Sequence, residues 1–248
     1  EMRCSGANGQ FAMDCNGTLT AKGDKVYPSP DGGRLFIFGQ AGRHVRTLNA
    51  KTRSLIYEFR YDESGRLLGV TDANNNLTAI ERGQDGQLTG VVGPYGQRTH
   101  IGLDANGRIA SLTNPNNETY KMVTSASALL ERFEKPRQFA SVFEYDELGR
   151  LVSDRNAAGG GLRLDRSETE DGTEVKVTST LGRFQRYLIE RTASGAKFRA
   201  TIAQDGTRKT ELIGADGTRV QTTAGGTITT TVMGPDPRVG MQAPIARS

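Results

Sequence analysis

The sequence predicts an all-β fold: antiparallel β-hairpin repeats of about 21 residues that stack into one continuous sheet. Three observations carry this reading. "YDESGR" at 61–66 returns as "YDELGR" at 145–150, 84 positions later. Stepping back from the second copy in units of 21 gives Gly65, Gly86, Gly107, Ala128 and Gly149, glycine at every step but one. Composition agrees: 31 glycines, no tryptophan and 35% hydrophobic residues suit short strands and turns better than a helix bundle.

Residues 1–25 are rich in Gly and Asn and are expected to be irregular. Residues 26–60 read as three lead-in strands, "GRLFIF", "GRHVRTL" and "SLIYEF", separated by "PDGG", "GQAG" and "NAKTR". The regular array follows over 61–165. Apolar residues recur two positions after each step, at Leu67, Leu88, Ile109, Leu130 and Leu151. They recur again six before it, at Phe59, Ile80, Ile101, Met122 and Phe143, with Leu164 one period on. This second series is expected on one face of the sheet, in every second strand.

Each period holds two turns. In one, Asp62, Asp104 and Asp146 bond the backbone ahead, Gly65, Gly107 and Gly149 supply a positive φ, and Arg66, Arg108 and Arg150 follow. Tyr61 and Tyr145 end a strand beside this turn, where the ring packs and the hydroxyl reaches water. In the other turn Pro94, Pro115 and Pro136 repeat at one offset, with Gly96 and Asn117 two positions after the first two. Breaks every ten or eleven residues exclude helices of ordinary length. Residues 166–234 continue as degenerate, Thr-rich hairpins, and the prolines of 235–248 mark a linker in which a central strand is not expected. The terminal strands of such an array are expected to present unpaired edges.

Charge and composition narrow the function classes. The formal net charge is +4, but the basic residues are scattered among acidic ones, so no nucleic-acid stripe forms and no specific nucleic-acid partner is expected. No apolar run is long enough to span a bilayer, and the N-terminus lacks the pattern of a secretion signal, which for an exported protein would lie upstream or have been removed. His44 and His100 sit on predicted strands without metal-ligand spacing, and no G-x-S-x-G elbow is present, so no catalytic group, metal or cofactor is expected. "DANNN" at 72–76 places Leu77 where a calcium loop needs glycine and reads as a turn. Cys4 and Cys15 could close a small disulfide loop in an oxidising compartment or stay as two thiols. Asn16, Asn76 and Asn117 lie in Asn-x-Ser/Thr sequons.

With those residues in place, the chain resembles the RHS, or YD-repeat, family. The likeness is carried by "FRYDESGRLLGVTDANNN", "GLDANGRIASLTNPNN" and "FEYDELGRLVSDRNAAGG", and "GPDPRVGMQAP" is similar to segments found near such repeats. The resemblance implies hairpins winding into a hollow shell. Bacterial members wrap a C-terminal toxin or effector in it, and teneurins carry one on the cell surface. It therefore implies a structural wall segment of a large secreted or surface protein, whose partners are adjoining repeats of the same parent and an enclosed effector. The competing expectation is an adhesive surface for a glycan or a cell-surface protein. The acidic self-cleavage region of cargo-releasing members has no counterpart in this sequence.

Overall fold

The computed structural model describes residues 11–13, 19–21 and 23–247. The described residues are almost wholly β, and neighbouring strands pair antiparallel. Strands β1 (Phe11–Met13) and β2 (Leu19–Ala21) pair in a small separate sheet, with Phe11 opposite Ala21. This corrects the expectation of an irregular segment over 1–25: three-residue strands are too short to leave a periodic signal. Cys4, Cys15 and Asn16 lie outside the described residues.

The remaining strands fall into two compact units, one comprising residues up to Ile101 together with Gly234–Ile245, the other Gly102–Met233 with the last three residues. In the first unit a continuous sheet runs through β3 (Lys25–Pro28), β4 (Arg34–Phe38), β5 (His44–Asn49), β6 (Leu55–Tyr61), β7 (Leu67–Asp72), β8 (Leu77–Arg82), β9 (Leu88–Val92) and β10 (Arg98–Leu103). In the second, the sheet comprises β11 (Ile109–Thr113), β12 (Thr119–Thr124), β13 (Leu130–Glu134), β14 (Ala140–Tyr145), β15 (Leu151–Arg155) and β16 (Gly161–Glu168). It continues through β17 (Gly172–Ser179), β18 (Phe184–Arg191), β19 (Lys197–Ala203), β20 (Arg208–Ile213), β21 (Thr218–Thr222) and β22 (Ile228–Asp236), whose residues from Gly234 on belong to the first unit. β23 (Gly240–Ala246) lies beside β3.

The pairings place the apolar series as the register predicts. Phe59 faces Val70, Val70 faces Thr78, Ile80 faces Val91 and Val91 faces Thr99, so Phe59, Ile80 and Ile101 share one face of the first sheet. In the second unit Met122 faces Phe133, Phe133 faces Ser141, Phe143 faces Asp154 and Asp154 faces Leu162, which puts Met122, Phe143 and Leu164 on one face. Register shifts fall between Arg60 and Tyr61, Glu81 and Arg82, Val123 and Thr124, and Glu144 and Tyr145, so the β-bulge itself recurs at the repeat spacing.

The tightest core belongs to the first unit. Leu35, Ile37, Leu48 and Ala50 are buried together, with Val45 and Val239 packed against them. Burial of each of the large side chains contributes roughly 1.5–3 kcal/mol. The opposite face of the same strands carries Tyr27, Phe36, Thr47 and Tyr57 in register, followed by Phe59.

Residues 235–248 are not a linker. β22 runs to Asp236 and β23 fills Gly240–Ala246. Pro235 and Pro244 stand within these strands, and Pro237 takes the second position of the turn between them, closed by the Val239 amide donating to the Asp236 carbonyl at 3.3 Å. Because β23 covers β3, that strand is no free edge, contrary to expectation.

Candidate functional site

The repeat-bearing turns share one construction. In 62–66 the Asp62 amide donates to the Arg66 carbonyl and the Gly65 amide to the Asp62 carbonyl, both at 2.9 Å. The same pair of bonds closes 104–108 and 146–150. This is a type I turn followed by one left-handed residue, the usual three-residue hairpin loop. The left-handed positions are Gly65, Gly107 and Gly149, with φ of 82°, 75° and 75°. Gly96 (φ 80°) and Asn117 (φ 61°) occupy the same position in the first two proline-bearing turns, whereas the third is a 3-10 turn over Pro136–Gln138 with Arg137 left-handed at φ 69°. The fourth copy of the Asp-x-x-Gly turn keeps its geometry without glycine: Ala128 stands at φ 65°.

The aspartates preorganise the turns. Asp62 Oδ1 accepts from the Arg66 amide at 2.8 Å, and Asp62 Oδ2 accepts from Arg66 Nε at 2.7 Å. Asp146 and Arg150 repeat both bonds at 2.9 and 2.7 Å. The backbone amide first, then the guanidinium, holds each of these two carboxyls below the usual aspartate range. Asp104 caps its turn by accepting from the Asn106 and Arg108 amides, but Arg108 does not return to it. Arg108 instead reaches the next hairpin and donates to the carbonyls of Ser125 and Ala126.

Neighbouring hairpins are tied by the same letters. Tyr61 Oη donates to the His44 carbonyl and Tyr145 Oη to the Leu130 carbonyl, both at 2.8 Å. The hydroxyls therefore satisfy backbone acceptors, not water as the sequence suggested. A backbone carbonyl on the adjoining strand offers each a partner that no residue letter announces. Arg43 lies over the Tyr61 ring at 5.7 Å, and a Cβ on Gly65 would fall 2.0 Å from Arg43 Nη2. His44 lies 5.1 Å from Phe38 and 4.2 Å from Phe59, ring to ring. Burial pushes its imidazole below the usual histidine range, outweighing the hydrogen bond with the Arg46 carbonyl.

A second cluster was not among the sequence expectations. Asp236 is buried, and its carboxylate accepts from Arg238 Nε at 3.0 Å, Arg238 Nη2 at 2.7 Å and the Arg238 amide at 2.7 Å. Arg238 Nη2 also donates to the Gly32 carbonyl at 3.3 Å, joining positions 206 apart. The guanidinium and then the amide hold the Asp236 carboxyl down at about 2. Ala243 of β23 is buried beside Gly32. The signal was the "DPR" in the closing segment, an acid and a base separated by a turn-forming proline.

Among the described residues, no group of three or more His, Cys, Asp and Glu side chains could hold a metal, and no helix is long and apolar enough to cross a membrane. "DANNN" forms a turn, closed by the Asn75 amide donating to the Asp72 carbonyl at 3.1 Å. Asn76 Nδ2 within it donates to Asp72 Oδ2 at 2.9 Å.

The described residues thus show a repeated hairpin joint and a clasp between distant strands. The family model described as Teneurin YD-shell matches residues 25–248. Teneurin-4 of Mus musculus is 29% identical over 190 residues, covering 76% of this chain and 7% of its own length. Teneurin-m of Drosophila melanogaster is 27% identical over 188 residues, covering 72% and 7%. A "Double-stranded DNA deaminase toxin A" of Burkholderia cenocepacia is 28% identical over 137 residues, 52% of this chain and 10% of that protein. Among solved structures, the TcdB2-TccC3-TEV crystal structure aligns with 96% of this chain and 17% of its own, at 10% identity and a TM-score of 0.35. The chain thus spans a small fraction of the length of the relatives it matches.

Proposed function

The chain belongs to the teneurin YD-shell family, and from that premise we propose that it is a wall segment of a shell that encloses or scaffolds an effector within a longer secreted or surface polypeptide. One observation carries the reading. The first unit buries Leu35, Ile37 and Leu48 on one face, while the other face shows Tyr27, Phe36, Phe59, Ile80 and Ile101 only half covered or exposed. A sheet with apolar side chains on both faces satisfies the second by lying against further polypeptide. The toxin name of one relative, which this chain matches over half its length, supports an effector as that polypeptide. Scaffolding needs no catalytic group; the repeat residues Tyr61, Asp62, Gly65 and Arg66, with their copies, act by fixing hairpin geometry.

The test is protease protection in the full parent polypeptide. The reading expects its C-terminal domain to resist digestion while the shell is folded and to become sensitive when the Asp236–Arg238 clasp is broken by Arg238→Ala. A C-terminal domain digested as fast in the parent as when expressed alone would sink enclosure. Saturable binding of the chain to a glycan or a cell-surface protein, alongside that sensitivity, would establish the adhesive reading.

A further inference from the structure

The regular array ends in a fork. β15 has five residues and β16 has eight. Their ladder holds three pairs, Ser153 with Arg163, Asp154 with Leu162 and Arg155 with Gly161. From Leu164 to Glu168, β16 pairs with β17 alone, through Leu164–Val177, Arg166–Val175 and Glu168–Thr173. A cleft of about 960 Å³ opens there, lined by Leu151 and Val152 from β15 and by Leu164, Asp165 and Arg166 from β16.

We propose that this cleft binds an extended, alternately apolar polypeptide segment of a partner protein, which adds to β16 as a new strand. Three features select that occupant. First, strand residues alternate the direction of their amides and carbonyls, so part of the Leu164–Glu168 backbone presents donors and acceptors toward the cleft at ladder spacing. Only another extended backbone matches such a row along its length. Second, Val152, Leu162, Leu164 and Val175 line the cleft from one face of the sheet and suit apolar side chains at alternate positions. Third, the charges are already matched within the protein. Arg150 Nε pairs with Asp146 at 2.7 Å, Arg163 Nε with Asp165 at 2.8 Å, and Arg166 Nε with Glu168 at 3.0 Å, while Arg155 pairs with Glu144. A strongly anionic ligand would have to displace these carboxylates, which favours a segment of low charge. The proposal goes beyond the shell reading, because it would hold for any parent protein that displays this fork.

The probe is a capped octapeptide with the sequence of β17, GTEVKVTS, which already complements β16 from its other side. Titration into the whole chain should give saturable one-to-one binding in the micromolar range. Two further peptides, N-methylated at odd or at even amides, discriminate the mode: one should lose at least about ten-fold in affinity and the other should bind as the parent does. Val152→Glu should weaken binding by a similar factor with an unchanged β-sheet circular dichroism spectrum; if that variant fails to fold, the methylated pair still decides. No saturation at ~1 mM peptide, equal loss with both methylated peptides, or displacement by sulfate at comparable concentration would overturn the proposal. So would a cleft filled instead by a second copy, seen as a dimer in sedimentation that the peptide does not dissociate.

Discussion

The Asp-x-x-Gly turns rest on a glycine in the left-handed region, and in the fourth copy Ala128 holds the same conformation with a β-carbon. Its φ of 65° is imposed by the bonds from its own amide to the Ser125 carbonyl and from the Leu129 amide to Ser125 Oγ. A left-handed alanine costs about 1–2 kcal/mol that glycine does not pay, less the glycine's own chain entropy. Ala128→Gly should therefore stabilise the chain by roughly 0.5–1 kcal/mol, read as a higher urea midpoint at unchanged slope. Gly65→Val should cost about 1 kcal/mol or more, both from the backbone and from displacing Arg43; an unchanged midpoint would refute the turn assignment. The aspartates give the pH dependence. Asp62, Asp146 and Asp236 all titrate below their unfolded values, so their stabilisation is fully present above the unfolded aspartate pKa. It is lost as pH falls through the folded values, which for Asp236 means down to about 2. The melting temperature should thus fall from about pH 4 toward pH 2, and less steeply in Asp236→Asn than in the parent.

At the scale of the hairpin, the tyrosines do what hydrophobic contact alone would not. Tyr61 and Tyr145 each bond a backbone carbonyl in a neighbouring hairpin, so Tyr61→Phe keeps the ring and removes only the tie. The expected loss is roughly 1 kcal/mol, with faster hydrogen exchange concentrated in β5 and β6. Uniform acceleration across the first unit would assign the residue to general packing instead. Much of this scale was legible in the letters. Turn chemistry is local, and the period of 21 fixed both the left-handed positions and the shared face of Phe59, Ile80 and Ile101. The acceptors of the tyrosines were not legible, because a backbone carbonyl carries no residue type.

For the molecule as a whole, long-range pairing was the blind spot. β23 lies beside β3, and Arg238 bonds the Gly32 carbonyl, across separations that leave no mark on any local window. Proline signals in "GPDPRVGMQAP" pointed to a linker, whereas Pro237 turns the chain so that Asp236 and Arg238 meet. Arg238→Ala should expose the 236–240 turn to limited proteolysis first, with β3 next; cleavage that begins elsewhere would show that the clasp does not hold this end. The recurring bulge also constrains how such a chain can change length over evolutionary time. Losing one residue within a strand would turn Phe59-type positions to the opposite face in everything that follows, whereas losing one whole hairpin pair would leave every later side chain where it was. Lineages of this sequence should therefore differ in length by complete periods, with single-codon insertions and deletions confined to the turns, so the gene lengthens or shortens by duplicating and excising modules and not by drift.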